Sequence, residues 1–257
     1  MEKGVPIRSV SRSIAVLQII NRYGSLSMME IARQSTMPYP TAYRIVQTLM
    51  HEGLVEQEPS RKNYRPTALV HSLAHGYQPG SRLVSVSRPL IHDLTKAVGW
   101  PVSITVRVGT NMVVRDSTHA ETSLTFENYY PGFTLPILDC ASGRVCLAHM
   151  SSEEREDVRR WMGQLDNTDP RINQFYTPEL LAKIRSEGYA AQGWGRHNLT
   201  PGKTSSIAVP IMRGGHFEAA LTLIYFAASM KQPDAIARYV ETMTATAAKI
   251  GVGMADA

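Results

Sequence analysis

No apolar run in this chain reaches the ~18 residues that a membrane-spanning helix needs, so no helical membrane anchor is expected. Cysteine is nearly absent: two in 257 residues cannot make a disulfide framework, and a reducing cytoplasm is the default location. The N-terminal apolar stretch is interrupted or bounded by Arg12, Gln18 and Asn21, and no small-residue cleavage site follows a basic start. A secretory signal is therefore not expected. Internal repeats and low-complexity tracts are missing as well. What is present is a globular composition, 43% hydrophobic and 19% charged. The length suggests one to two domains at roughly 150 residues each.

The charge is unevenly spread. Of the net +5, residues 1–80 hold nine Lys and Arg against five Asp and Glu, or +4; the remainder holds eighteen against seventeen, or +1. A basic first third points modestly to a polyanion partner.

The apolar period divides the chain. Val10, Ile14, Leu17 and Ile20 recur at helical spacing, and Gly24 follows as a stop signal. Ser27 and Glu30 form a capping box opening a short helix. After the tight connection Ser35-Thr36-Met37-Pro38, residues Ala42, Ile45, Val46, Leu49 and Gly53 share one face of a further helix. Residues 54–57 and 64–66 read as two strands around the turn 58–63. Residues 67–98 read as helical with a break near Gln78-Pro79-Gly80, and Leu69, Leu73 and Tyr77 form a stripe. From Trp100 the period becomes two: hairpins are predicted over 101–116 and 206–227, the second turning at Arg213-Gly214-Gly215-His216. Helices are predicted over 142–150, 151–163, 177–187 and 233–250. Antiparallel hairpins packed beside helices make an α+β domain.

Helix, helix, turn, helix, hairpin is a winged DNA-binding layout, in which the second helix of the pair must enter the major groove. Thr41, Tyr43, Arg44, Gln47 and His51 lie outside the apolar stripe of that helix. Arg44 has the geometry to fork onto guanine or onto phosphate, and Gln47 to pair with adenine. Arg61 and Lys62, at the hairpin tip, would reach phosphate or the minor groove.

The segments 10–17, Thr41 to Leu49, Glu52-Gly53-Leu54-Val55 and Tyr64-Arg65 resemble the N-terminal domain of IclR-family bacterial transcription regulators. Pro136 to Ala148, Glu187-Gly188-Tyr189-Ala190 and Ile207 to Ile211 match later parts of the same family in the right order. The resemblance implies a winged helix-turn-helix DNA-binding domain over 1–66, linker and dimerisation helices over 67–98, and a GAF/PAS-like effector-binding domain over 99–257. It implies operator double-stranded DNA as partner, a homodimer or tetramer, a small carboxylic acid as effector, and no cofactor. One departure stands out: where members commonly carry a Lys-Ser pair, this chain has Tyr39-Pro40.

In the second domain, Pro136 to Val145 is a small-residue turn opening a helix, where free backbone N–H groups favour an anion. The resemblance places the effector pocket there, with Ala141, Ser142 and Gly143 at its edge, and brings Ser206, Thr222 and Tyr225 onto strands near it. Strand alternation sends Thr222 and Ile224 to one face and Leu223 and Tyr225 to the other. Arg196, in a loop where many members carry acidic residues, is a candidate carboxylate clamp. Arg107 and Arg115 are further candidates. Trp100-Pro101, Val113-Val114-Arg115, Thr118-His119 and Ser206 to Pro210 resemble the branch that regulates catabolism of aromatic acids.

Other signals fail. Pro201-Gly202-Lys203-Thr204 matches the end of a phosphate-binding loop, but position 197, where the motif needs glycine, is His. His71 and His75 are spaced i, i+4 with no acidic or cysteine cluster beside them, so no metal site is expected. Cys140 is the one candidate nucleophile, and an enzyme with a small docking domain is the competing function; no base is placed beside it by the sequence.

Overall fold

The computed structural model describes residues 7–74, 81–124, 129–165, 177–193 and 203–255. The chain divides into two compact units, Met1–Pro79 and Gly80–Ala257.

In the first unit, α1 (Arg8–Tyr23) buries Val16 and Ile20 and ends at Gly24, whose φ of 75° lets its N–H return to the Ile20 carbonyl at 2.9 Å. The helix α2 (Met28–Gln34) opens on the expected capping box: the Ser27 N–H donates to Glu30 Oε2 at 2.8 Å, and the Glu30 N–H donates back to Ser27 Oγ at 3.4 Å. Thr36, at φ 53°, turns the chain into α3 (Tyr39–His51). There Pro38 caps and Pro40 occupies the first turn, where its missing N–H costs nothing. Ala42, Val46 and Leu49 form the buried face of α3, packed with Ile20, Ile31 and Tyr64 in one core. The strands β1 (Val55–Gln57) and β2 (Tyr64–Pro66) pair antiparallel, with Leu26 bridging to Tyr64 as a one-residue third strand. A 3-10 helix follows at Ala68–Ala74, opened by Thr67, whose hydroxyl accepts from the Leu69 N–H. The predicted break at 78–80 and Tyr77 lie outside the described residues.

The second unit begins with α4 (Ser81–Val98). Its sheet has six antiparallel strands: β3 (Val102–Val108), β4 (Asn111–Ser117), β5 (Thr134–Pro136), β6 (Ala190–Gln192), β7 (Thr204–Arg213) and β8 (His216–Phe226). They lie in the order β5-β4-β3-β8-β7-β6. Gly214 and Gly215, at φ 58° and 83°, make the two-residue turn between β7 and β8. The edge strands β5 and β6 were not predicted.

One face of the sheet, carrying Val102, Ile104, Ile207, Val209, Leu221 and Leu223, packs against α4 and the terminal helix α8 (Gln232–Ala255). The opposite face is covered by α5 (Ala141–His149), α6 (Ser152–Leu165) and α7 (Pro178–Glu187), through Val145, Leu147, Val158, Leu181 and Ile184. Gly143 sets the height of α5. A Cβ there would lie 1.8 Å from the Ile137 carbonyl oxygen, so only glycine lets the helix start so close to the preceding turn. This is the α+β architecture the sequence indicates, with helices on both faces of the sheet. No helix among the described residues is long and apolar enough to cross a membrane.

Candidate nucleic-acid interface and effector cavity

On α3 the buried stripe leaves a clear outer face. Tyr43, Arg44 and Gln47 are exposed, and Thr41 is half-buried at its edge. Neither Arg44, Arg61 nor Lys62 meets a carboxylate among the described residues, whereas Arg65 is held by Glu56 across the hairpin at 2.7 Å. The wing tip is shaped by Lys62 itself, in the left-handed region at φ 53°. Its carbonyl accepts from Gln57 Nε2 at 3.4 Å. The sequence thus leaves charge at Arg44 and at the tip, and neutralises it on the strand between.

The α3 terminus has a feature the sequence did not announce. Tyr39 and Tyr43, one turn apart, stack with ring centroids 6.3 Å apart and planes 11° from parallel. Both rings stay in solvent, at 48% and 42% exposure.

In the second unit a small cavity of about 40 Å³, opening to solvent, lies between the sheet and the start of α5. Of the predicted effector residues, Ala141, Ser142, Ser206 and Thr222 line it. Gly143 does not; it packs on Ile137 instead. Tyr225 is a correction: it points to the other face of the sheet, fully buried, its ring edge-on to Trp100 at 6.2 Å. The alternation of β8 decides this, since Thr222 and Ile224 both face the cavity and no bulge intervenes between them and Tyr225 in the pairing with β7. Arg196 lies outside the described residues. Arg107 faces a separate cleft with Cys146, His149 and Glu154, and donates to the Gly109 carbonyl at 3.1 Å. Arg115 is half-buried on β4.

Polar groups set the cavity's chemistry. Ser103, Thr105, Tyr129, Ser142, Thr204, Ser206 and Thr222 line it with hydroxyls and Asp139 with a carboxylate, and no Lys, Arg or His does among the described residues. Two of its polar atoms, Thr222 Oγ1 and Gln192 Oε1, are buried with no hydrogen-bond partner among the described residues. Buried polar atoms are nearly always paired, so a ligand that pairs them gains the bonds they lack. The α5 terminus adds donors. Cys140 occupies the cap position without a side-chain cap bond, which leaves first-turn N–H groups at Ala141 and Ser142 to attract negative charge.

Cys140 was a candidate nucleophile. Burial pushes its thiol up to about 11, although the Ser142 hydroxyl and the Gly143 N–H pull the other way. At neutral pH it is a thiol that donates to the Pro136 carbonyl at 3.4 Å, and a thiol is a poor nucleophile. Tyr129, missed in the sequence because it follows no strand or helix pattern, is pushed up to about 12 by burial and hydrogen-bonds with Thr204. Gln192 was missed for a related reason: it sits on β6, an edge strand of three residues with no alternation long enough to read.

Comparisons with known proteins agree on one lineage. The IclR helix-turn-helix domain matches residues 9–59, and the bacterial transcriptional regulator IclR C-terminal domain matches residues 76–252. The HTH-type transcriptional regulator BhcR of Paracoccus denitrificans is 27% identical over 97% of this chain and 88% of its own length. The transcriptional repressor IclR of Escherichia coli is 22% identical over 72% of this chain and 68% of its own. Among solved structures, an IclR homologue from Microbacterium hydrocarbonoxydans complexed with 4-hydroxybenzoate superposes with a TM-score of 0.64. It is 23% identical and covers 96% of this chain and 98% of that one.

Proposed function

This chain belongs to the IclR family of bacterial transcriptional regulators, and we propose that its cavity takes a small aromatic carboxylic acid that controls operator binding. The helix-turn-helix domain binds DNA, and the protein is a ligand-responsive regulator of the IclR type. The effector's carboxylate would sit on the Ala141 and Ser142 N–H groups, and its far end would meet Thr222, Ser206 and Gln192. The observation that carries this reading is a pair of buried atoms, Thr222 Oγ1 and Gln192 Oε1, without a hydrogen-bond partner among the described residues, in a cavity that opens on a helix N-terminus. A solved relative described as complexed with 4-hydroxybenzoate supports the aromatic choice.

Binding would shift the population of dimer or tetramer arrangements and so change how the winged domains span an operator. On this reading the protein works in the cytoplasm on genes for the breakdown of its own effector. It is a regulator and not an enzyme, a view supported by the protonated state of Cys140.

A thermal-shift screen against aromatic and short aliphatic acids tests the proposal. The aromatic acids should raise the melting temperature. Thr222→Val should weaken the best ligand about tenfold, the order expected when a hydrogen bond to a buried hydroxyl is lost, with the ligand-free melting temperature unchanged or higher. Stabilisation by aliphatic acids alone would refute the aromatic assignment, and an unchanged affinity in Thr222→Val would remove this cavity as the site.

A further inference from the structure

The first turn of α3 cannot hold DNA in the usual way for a helix N-terminus. Free N–H groups there ordinarily grip phosphate. Here Pro40 has no N–H, and the Thr41 and Ala42 N–H groups return to the Pro38 carbonyl at 2.9 and 3.1 Å. Residues 38–43 carry no charge, and Arg44 is the first cation on the helix. What is left at this end to meet a backbone phosphate is uncharged: the Tyr39 N–H and the hydroxyls of Tyr39, Thr41 and Tyr43.

What the turn does present is aromatic surface. Tyr39 and Tyr43 project from successive turns as one slab, with nearly parallel planes and both residues exposed. The slab stands on the flank of α3, between the buried stripe of Ala42, Val46 and Leu49 and the exposed Arg44. In the major groove every base edge is polar except one: thymine presents its C5 methyl.

We infer that Tyr39 and Tyr43 form a reader of thymine methyl groups at the leading end of the recognition helix, so that Tyr39 is a specificity-determining residue of this protein. Base choice at this position then comes from apolar contact, with little dependence on salt. Arg44 and the wing supply the phosphate and guanine contacts further along. The inference rests on α3 being the helix that reads DNA.

The test begins by selecting operator sequences from a random duplex pool with the full-length protein. Each thymine of the consensus half-site is then replaced in turn by uracil, which differs only in lacking the methyl. Affinities are measured by fluorescence anisotropy for the wild type, Tyr39→Ala, Tyr43→Ala and Tyr39→Phe. At one position or more, uracil should weaken the wild type about fourfold, the effect of one methyl-sized group removed from contact. Tyr39→Ala should bind the thymine and uracil probes alike, and Tyr39→Phe should keep the preference. Tyr39 is exposed enough for its replacement to leave the fold intact, and Tyr43→Ala gives a second reading of the same slab. Indifference of the wild type to every uracil would overturn the inference. So would a thymine preference that survives in both alanine variants, or a Tyr39→Phe that loses affinity equally on all probes, the mark of a hydroxyl on phosphate. Failure to select any consensus would instead strike at the reading of α3 as the DNA-reading helix.

Discussion

Burial, more than any neighbouring charge, governs these ionisable groups of the second unit. It pushes the Cys140 thiol and the Tyr129 hydroxyl at the cavity up to about 11 and about 12, and the Cys146 thiol in the separate cleft to about 12. All three ionise more readily in the unfolded chain, near the ordinary values of 9.0 for thiols and 10.0 for tyrosine. Their contribution to stability is therefore complete below about pH 9 and is lost as pH rises towards 11–12. The second unit should melt at progressively lower temperature between pH 9 and 11, and Cys140→Ala should make that decline shallower. Calorimetry across this range checks it; a flat melting temperature would mean that the thiols are not buried as described. At this scale the sequence separated Thr222 from Tyr225 by strand alternation alone, because a period of two is strict along an unbulged strand. It could not bring Gln192 to the cavity that Thr222 lines, since the two lie thirty residues apart and share that cavity only once β6 joins the sheet edge.

At the scale of elements, single residues set where helices begin. Gly143 is the sharpest case, since a methyl group there would sit 1.8 Å from the Ile137 carbonyl oxygen, with backbone on the receiving side. Gly143→Ala should destabilise the second unit by about 3 kcal/mol or more, in the range of severe overpacking. Ligand response should be lost with it, and chemical denaturation of the variant against the wild type gives the measurement. A change below about 1 kcal/mol would mean that α5 can rise off Ile137 without penalty. Gly143 was singled out in the sequence as an effector residue. The structure gives it a steric constraint against Ile137, and no sequence pattern announces a close approach between backbones. Other elements were legible because their signals are local. The capping box at Ser27 and Glu30, the stop at Gly24 and the proline at the start of α3 each act within one turn of chain. The hairpins were legible from alternation over seven residues or more in β3, β4, β7 and β8. The strands β5 and β6, three residues each, owe their conformation to a neighbouring strand edge, and the stacking of Tyr39 on Tyr43 depends on rotamers. Neither can be read without the fold.

Across the whole molecule, chemistry is divided between the two units. The first unit holds most of the net positive charge, an exposed arginine on α3 and a basic wing tip. The second holds the cavity, with a hydroxyl and an amide oxygen that have no hydrogen-bond partner among the described residues. A ligand alters DNA affinity only if it binds the arrangements of the winged domains unequally, and the two effects are then reciprocal. The central claim is that DNA reading and effector sensing occupy separate units of one regulator. The most direct test is Arg44→Ala in the full-length protein, with operator affinity and effector-induced thermal stabilisation measured side by side. Operator binding should fall by about tenfold or more, as for loss of a bidentate base contact or a phosphate contact, while the effector still raises the melting temperature as in the wild type. If the effector's stabilisation vanished and operator binding survived, the division of labour between the units would be wrong.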